Sequence, residues 1–319
     1  MSLIITDTYE AAQFLHREQV IGMPTETVYG LAGNIYSQKA VTNIFRIKGR
    51  PFHNPLIVHI KSLACLSKVA VAIPEMAIQL ANKFWPGPLT LVLQKHPSVP
   101  GLVTAGKSTI AVRIPAHPVA LSLLEKISFP LAAPSANPFG SISPTTAEHV
   151  ARYFPGTLPI ILEGGPCEKG IESTIIGFTK GKATLYRHGS ISLEKIESIS
   201  GKLKMAINNE KDPDAPGMLS KHYAPVTSLF LTDDIEKSIK QYAHHKIGLL
   251  LFDRNMPDLQ NIYQHVLSTS GDLQEAAANL YASLHTMDTL GLDIIIAERL
   301  PERGIGRSIN DRLTRASNK

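Results

Sequence analysis

Residues 47–60 read IKGRPFHNPLIVHI, and this stretch decides the fold class. Its first residues close a pattern over 37–48 in which Val41, Ile44, Phe45 and Ile47 recur close to helical spacing. Its last five, LIVHI (56–60), are β-branched and apolar, as a buried strand requires. A helix passed into a strand through a short turn is the unit of an α/β fold. The alternation extends both ways. Upstream, residues 7–18 read as a helix capped by Asp7, and VIGMP (20–24) as a strand. Downstream, residues 73–84 read as a helix, LTLVLQK (89–95) and TIAVRIP (109–115) as strands, and residues 117–127 as a helix. PLAAPSAN (130–137) starts as a strand and ends in a turn. Ser143 is expected to cap a helix with Pro144 in its first position. PIILEG, STIIGF and ATLYRH, within 159–188, read as three strands, followed by a short helix near 192–199.

A chain of 319 residues predicts two domains. Residues 200–225 carry the polar stretch NNEKDPDAPG (208–217) and read as a linker. A second strand–helix alternation follows, ending in a helix near 305–316. The expected division is a first domain over 1–203, a linker or lid over 204–225, and a small Rossmann-like domain over 226–319. With 44% hydrophobic and 18% charged residues, the composition is that of a globular protein. The formal net charge of +5 mildly favours anionic ligands. Cys65 and Cys167 belong to no CxxC pair, so they read as small buried hydrophobes in a reducing compartment. The opening MSLIITDTYE lacks a basic segment and is not a signal peptide. No apolar run is long enough to span a bilayer, which predicts a cytoplasmic protein with no membrane partner.

One motif fails its own context. GLVTAGKS (101–108) matches the phosphate-loop pattern GxxxxGK[ST]. That loop works only where a strand precedes it and a helix follows, because the helix N-terminus holds the phosphates. Here TIAVRIP follows, a strand, so the match reads as a surface loop.

The groups suited to a polar ligand lie elsewhere. PTETVYGLAG (24–33) sets Thr25, Glu26, Thr27 and Tyr29 between a proline and two glycines. Residues 47–60 gather Lys48, Arg50, His53, Asn54 and His59. Taken alone, Lys48 and Arg50 read as a solvated helix end, His59 as a satisfied core histidine, and Trp85 as a packing anchor. Arg113 is different: a charge inside an apolar strand needs an internal acid or an anionic ligand. Glu26 reads either as a base or as a brace for its loop.

Taken together, PTETVYGL, KGRPFHNPLIVHI, WPGPLTLVL, VRIPAHP, APSANPFGSISPT and ESTII, in this order, resemble the YrdC-like family of threonylcarbamoyl-AMP synthases. The resemblance covers roughly residues 8–200; PGMLSKHYAP (216–225) and GIGRSINDRL (304–313) are similar to its longer, two-domain branch. It implies a three-layer α/β domain around a twisted mixed sheet, plus a smaller C-terminal Rossmann-like α/β/α domain. It also implies a reaction. L-Threonine and bicarbonate give an N-carboxy-threonine that attacks the α-phosphate of ATP, releasing pyrophosphate. The adenylate then goes to a separate tRNA threonylcarbamoyl transferase, which modifies tRNAs reading ANN codons. Mg²⁺ is expected with ATP, held through phosphates and water. Whether this chain itself touches tRNA is left open.

Residue by residue, the resemblance implies nucleotide contacts at Lys48, Arg50, Asn54, Thr109, Ser135, Ser143, Arg187 and Tyr223. Lys48 and Arg50 would also stabilise charge in the reaction. It implies threonine contacts at Thr27, His59, Arg113, Ala133 and Ser173; beside Tyr223, His222 is a weaker candidate for folding back over the nucleotide. An RNA-binding module without catalysis and another ATP-dependent carbamoyl-transfer enzyme are the rival readings. The C-terminal domain offers no catalytic cluster, and Arg303, Arg307, Arg312 and Arg315 read as a solvated helix face. The linker is expected to act as a lid that excludes water.

Overall fold

Strand and helix alternate from the first residues onward. The protein is described from a computed structural model over residues 2–179, 182–206, 215–216, 222–257, 259 and 262–317. Most of the predicted linker, including 207–214 and 217–221, lies outside the described residues. The first part contains β1 (Leu3–Ile5), α1 (Thr8–His16), β2 (Ile21–Met23), β3 (Gly30–Asn34), α2 (Gln38–Lys48), β4 (Ile57–His59) and β5 (Ala70–Val71). It continues through α3 (Glu75–Phe84), β6 (Leu89–Lys95), β7 (Thr109–Arg113), α4 (Pro118–Glu125), β8 (Leu131–Ala132), α5 (Ala147–Tyr153) and β9 (Ile160–Leu162). It closes with β10 (Thr174–Thr179), β11 (Lys182–Arg187), α6 (Leu193–Ser200) and β12 (Lys204–Met205). The second part comprises β13 (Ser228–Thr232), α7 (Ile235–Gln241), β14 (Ile247–Leu251), β15 (Tyr263–Val266), α8 (Leu273–Met287), β16 (Ile294–Glu298) and α9 (Gly306–Ser317).

Local chemistry sets the element ends. Asp7 caps α1 by accepting from the Tyr9 amide at 2.7 Å. Ser37 caps α2, and Gly49, at φ 64, ends it in the left-handed conformation that glycine adopts without a Cβ clash. The reading of Ser143 as a cap is corrected: α5 starts four residues later, capped by Thr146, and the Ser143 hydroxyl is turned to Glu172. Of three candidate hydroxyls in SPTT, the one adjoining the first helical residue takes the cap. Trp85 is the anchor expected, its indole N–H donating to Leu89 O at 2.7 Å. The GLVTAGKS segment is a run of turns leading straight into β7, with no helix, as its context requires.

One mixed sheet runs in the order β1-β9-β2-β3-β8-β4-β7-β6-β10-β11-β12, with β5 paired to β6. Helices α2, α3, α5 and α6 pack one face in a large apolar cluster around Phe45, Val58, Leu91 and Val112. Helices α1 and α4 cover half of the other face, around Leu15, Met23 and Leu123. Among the described residues no helix covers the remaining half, over β4, β7, β6 and β10; a small cluster of Ile57, Val92, Ala111 and Ile175 is met there by Ala215 of the linker. Strand alternation explains what surfaces there. Val58 and Val112 point into the large core, so Ile57 and His59 on β4, and Ala111 and Arg113 on β7, point the other way. His59 and Arg113 are direct partners in the parallel ladder, hence side by side on the open half-face.

The second sheet is parallel throughout, in the order β13-β16-β14-β15, so the last strand lies between the first two. Its α8 and α9 pack against the first part. Val28, Ile142, Ile171 and Tyr223 join Tyr281, Leu284 and Leu313 in one apolar cluster. Gly170 is where the backbones meet; a Cβ there would lie 2.4 Å from Ala278 O. Among the described residues no helix is long and apolar enough to cross a membrane.

Candidate active site

The open half-face is the floor of a cleft whose empty space, open solvent included, is about 560 Å³. Three guanidinium groups line it, those of Arg50, Arg113 and Arg187, each less than a tenth exposed. Backbone carbonyls hold two of them in place. Arg50 donates to Asn54 O at 3.0 Å, Asn54 Oδ1 at 2.5 Å and Pro55 O at 2.7 Å. Arg187 donates to Ser173 O at 2.9 Å and Ser173 Oγ at 3.1 Å, and to Pro216 O of the linker at 3.2 Å. Burial, then the nearby Arg187 charge, lowers Arg50 to about 9. Burial likewise lowers Arg187. Two buried cations lining one cleft have the chemistry that suits phosphate oxygens.

Arg113 faces a different company. Its Nη1 donates to Thr27 Oγ1 at 2.9 Å, and its Nη2 lies 2.6 Å from Glu26 Oε1. Arg113 thus has the internal acid that a charge in an apolar strand needs. The pair is in contact without hydrogen-bond alignment, so neither Glu26 oxygen receives a donor. Beside it, burial first and the Arg113 charge second push His59 down to about 3, so its ring is neutral. His59 is no satisfied core histidine: its Nδ1 has no partner.

Unpartnered polar atoms concentrate here. Among the described residues, buried side-chain atoms without a hydrogen-bond partner belong to Glu26, Asn54, His59, Arg113, His222 and Tyr223, and otherwise to Gln19 alone. Buried polar groups are normally satisfied, and leaving one unpaired costs about 1–3 kcal/mol. Their gathering around one cleft is what a polar ligand would repair.

Of the residues implied by the resemblance, Thr27, Arg50, His59, Ala133, Arg113, Ser135, Ser173, Arg187 and Tyr223 line the cleft together, with His222. Four stand back. Lys48 is 1% exposed and spends its ammonium on Ser135 O and Asn137 O at 2.8 Å each, and on Ser135 Oγ and Asn137 Oδ1. Asn54 holds Arg50, and Ser143 holds Glu172 at 2.6 Å. Thr109 opens β7 outside the lining. The solvated-helix-end reading of Lys48 and Arg50 is corrected: both are buried because the loops carrying Asn54 and Asn137 bring carbonyls to them. Arg312 is corrected likewise. It is 1% exposed, bound to Glu172 at 2.8 Å.

Glu172 also lines the cleft, and sequence reading passed over it inside ESTII. Gly189 shows how tightly this wall is built: a Cβ there would lie 2.3 Å from the Ser173 carbonyl carbon and the Thr174 nitrogen. Gly189→Ala is expected to cost about 1–3 kcal/mol, as overpacking does. Urea unfolding should show a lower midpoint at unchanged slope. Stability equal to the parent would mean this contact carries no constraint.

Comparisons with known proteins agree along the chain. A Sua5/YciO/YrdC family model, described as telomere recombination, matches residues 13–189. A second, described as the threonylcarbamoyl-AMP synthase C-terminal domain, matches 191–318. The threonylcarbamoyl-AMP synthase of Pyrococcus abyssi is 40% identical, over 96% of this chain and 93% of its own. That of Bacillus subtilis is 39% identical, over 97% and 92%. The crystal structure of P. abyssi Sua5 complexed with L-threonine superposes with a TM-score of 0.92 at 38% identity, covering 99% of this chain and 97% of that one. E. coli YciO, 23% identical with a TM-score of 0.52, shares the fold over 59% of this chain.

Proposed function

We infer, because the chain belongs to the Sua5/YciO/YrdC family and carries the threonylcarbamoyl-AMP synthase C-terminal domain, that it is a threonylcarbamoyl-AMP synthase. It condenses L-threonine, bicarbonate and ATP into L-threonylcarbamoyladenylate, a nucleotidyl transfer that serves tRNA modification. One observation carries this reading: three buried guanidiniums and a neutral histidine share one cleft, in which polar atoms of His59, Arg113, His222 and Tyr223 lack partners.

Each residue has a role in the proposal. Arg113, Thr27, His59, the Ala133 backbone and Ser173 hold threonine, the carboxylate falling to Arg113. The threonine amine takes up bicarbonate carbon with loss of water, giving a carbamate. A carbamate oxygen then forms a bond to the α-phosphorus, the bond to the bridging oxygen breaks, and pyrophosphate leaves with the electron pair. Arg50 and Arg187 meet the phosphate oxygens on which negative charge gathers. Lys48 holds the loop that presents Ser135. Asn54 fixes Arg50, Ser143 fixes Glu172, and Thr109 lies nearest the outer end of the nucleotide. His222 and Tyr223 close over the ligands from the linker. Positioning and charge suffice; no side-chain nucleophile is used.

Mg²⁺ would accompany ATP. Among the described residues no group of three or more His, Cys, Asp or Glu stands together as a metal site, and Glu172 is committed to Arg312. An ion arriving with ATP would be held through phosphates and water. The adenylate is hydrolysable, so a separate tRNA threonylcarbamoyl transferase consumes it in the same compartment, the cytoplasm.

The test is pyrophosphate release with threonine and bicarbonate supplied separately and together. Release is expected only with both. Release with neither would make the chain a plain ATPase, and retention of RNA without any release would make it a binding module.

A further inference from the structure

Two side chains of the second domain, Tyr281 on α8 and Arg312 on α9, reach the cleft-lining Glu172. Arg312, on α9, contacts three separate segments of the chain at once. Its Nε donates to Glu172 Oε2 at 2.8 Å, its Nη2 donates to His188 O at 2.8 Å, and its guanidinium carbon lies 4.9 Å over the centre of the Tyr223 ring. Each segment carries a residue of the cleft wall: Glu172 precedes Ser173, His188 follows Arg187, and Tyr223 is itself in the lining.

Glu172 explains why a cation is needed there. It is the carboxylate among the cleft-lining residues, 6% exposed, and it shares that wall with Arg187. Its oxygens accept from Ser143 Oγ at 2.6 Å and from Tyr281 OH at 3.1 Å, besides Arg312. Burial pushes its carboxyl up most, but the Arg312 and Arg187 charges, together with the hydrogen bonds from Ser143 and Arg312, outweigh burial and hold it at about 2. Glu172 is thus an anion in a dry wall, one step from the cation proposed to meet phosphate. An anion so placed and unanswered would draw Arg187 to itself and repel a polyphosphate.

We propose that Arg312 neutralises Glu172 from behind the cleft wall and thereby keeps the Arg187 guanidinium available to the phosphates of a nucleotide. It is a positioning residue, contributed by the second domain, and does not touch substrate. The proposal rests on the reading of the cleft as a nucleotide site. It gives the C-terminal domain a definite role, that of supplying the cation in direct contact with this carboxylate.

The test uses the full-length chain and isothermal titration with Mg-ATP and, separately, with L-threonine. Arg312→Gln is expected to weaken ATP at least tenfold. Threonine affinity should change less than about threefold, because Thr27, His59, Arg113 and Ala133 make no contact with Arg312. Adding Glu172→Gln to Arg312→Gln removes the uncompensated anion and should return ATP affinity to within about threefold of the parent. A general loss of structure would weaken both ligands and would not be rescued by a second substitution. ATP binding unchanged in Arg312→Gln overturns the proposal, and so does a double variant as weak as the single one.

Should Arg312→Gln fail to fold, two milder variants decide. Arg312→Lys keeps the charge, and Tyr281→Phe removes one donor from Glu172 without altering charge. Both should hold ATP within about threefold, and a tenfold loss in either would show that hydrogen-bond geometry, not charge, is the requirement. A parent chain that binds no ATP would sink the functional reading itself. A parent that binds ATP and releases pyrophosphate, beside an unaffected Arg312→Gln, would sink only this inference.

Discussion

Arg113→Met is expected to destabilise the folded chain by about 3–5 kcal/mol and to abolish threonine-dependent pyrophosphate release. Arg113 and Glu26 are each 4% exposed at the side chain and 2.6 Å apart, and Glu26 receives no hydrogen bond from elsewhere. Removing the cation strands a carboxylate in a site with almost no water. The loss is a large share of the roughly 5–15 kcal/mol that holds a domain folded. The double variant Glu26→Gln with Arg113→Met removes charge from both sides and should regain much of the stability but none of the activity. Urea unfolding of the three chains, beside pyrophosphate assays, separates the two effects. A single variant as stable as its parent would mean that Glu26 draws its compensation from somewhere other than Arg113.

Lys48→Met is expected to lower kcat/KM for ATP at least tenfold, although Lys48 is not among the cleft-lining residues. The ammonium gathers the carbonyls of Ser135 and Asn137 at 2.8 Å each. It is fully buried, and burial first, then the Arg50 charge, lowers its pKa well below that of a free lysine. Charge-assisted bonds of this kind contribute about 1.5–3 kcal/mol, and methionine leaves the carbonyls facing an apolar chain. The loop then relaxes, and Ser135 with it. Steady-state kinetics with each substrate varied in turn is the measurement. Activity within twofold of the parent would show that the loop keeps its place without the lysine.

Much of this was legible in the sequence, for physical reasons that differ by element. The helix before KGRPFHNP stands out by the period of its apolar residues, and the strand after it by its β-branched apolar run. Arg113 could be singled out because a charge in TIAVR breaks such a run. What could not be read depends on partners distant in sequence. Arg312 and Glu172 are 140 residues apart, and a segment carrying Arg303, Arg307, Arg312 and Arg315 looks solvated by any periodic rule. The inner side of α9 is partly polar because it also docks on hydrogen-bond acceptors: Ser308 reaches Gly189 O at 2.8 Å, and Asn310 reaches Leu300 O at 2.8 Å. Strand β15, YQHV, escaped notice because it is a half-exposed edge without apolar alternation. Ser143 looked like a cap because local rules cannot see the carboxylate that claims its hydroxyl.

The apolar seam that joins Val28, Ile142 and Ile171 to Tyr281, Leu284 and Leu313 has a practical corollary. Severed from its second half, the first would carry a greasy patch and a naked carboxylate on its outside, and would tend to precipitate before it could be assayed. A shorter version of this protein, made in a laboratory or by evolution, would therefore need that flank repainted with polar residues before the halves could part company.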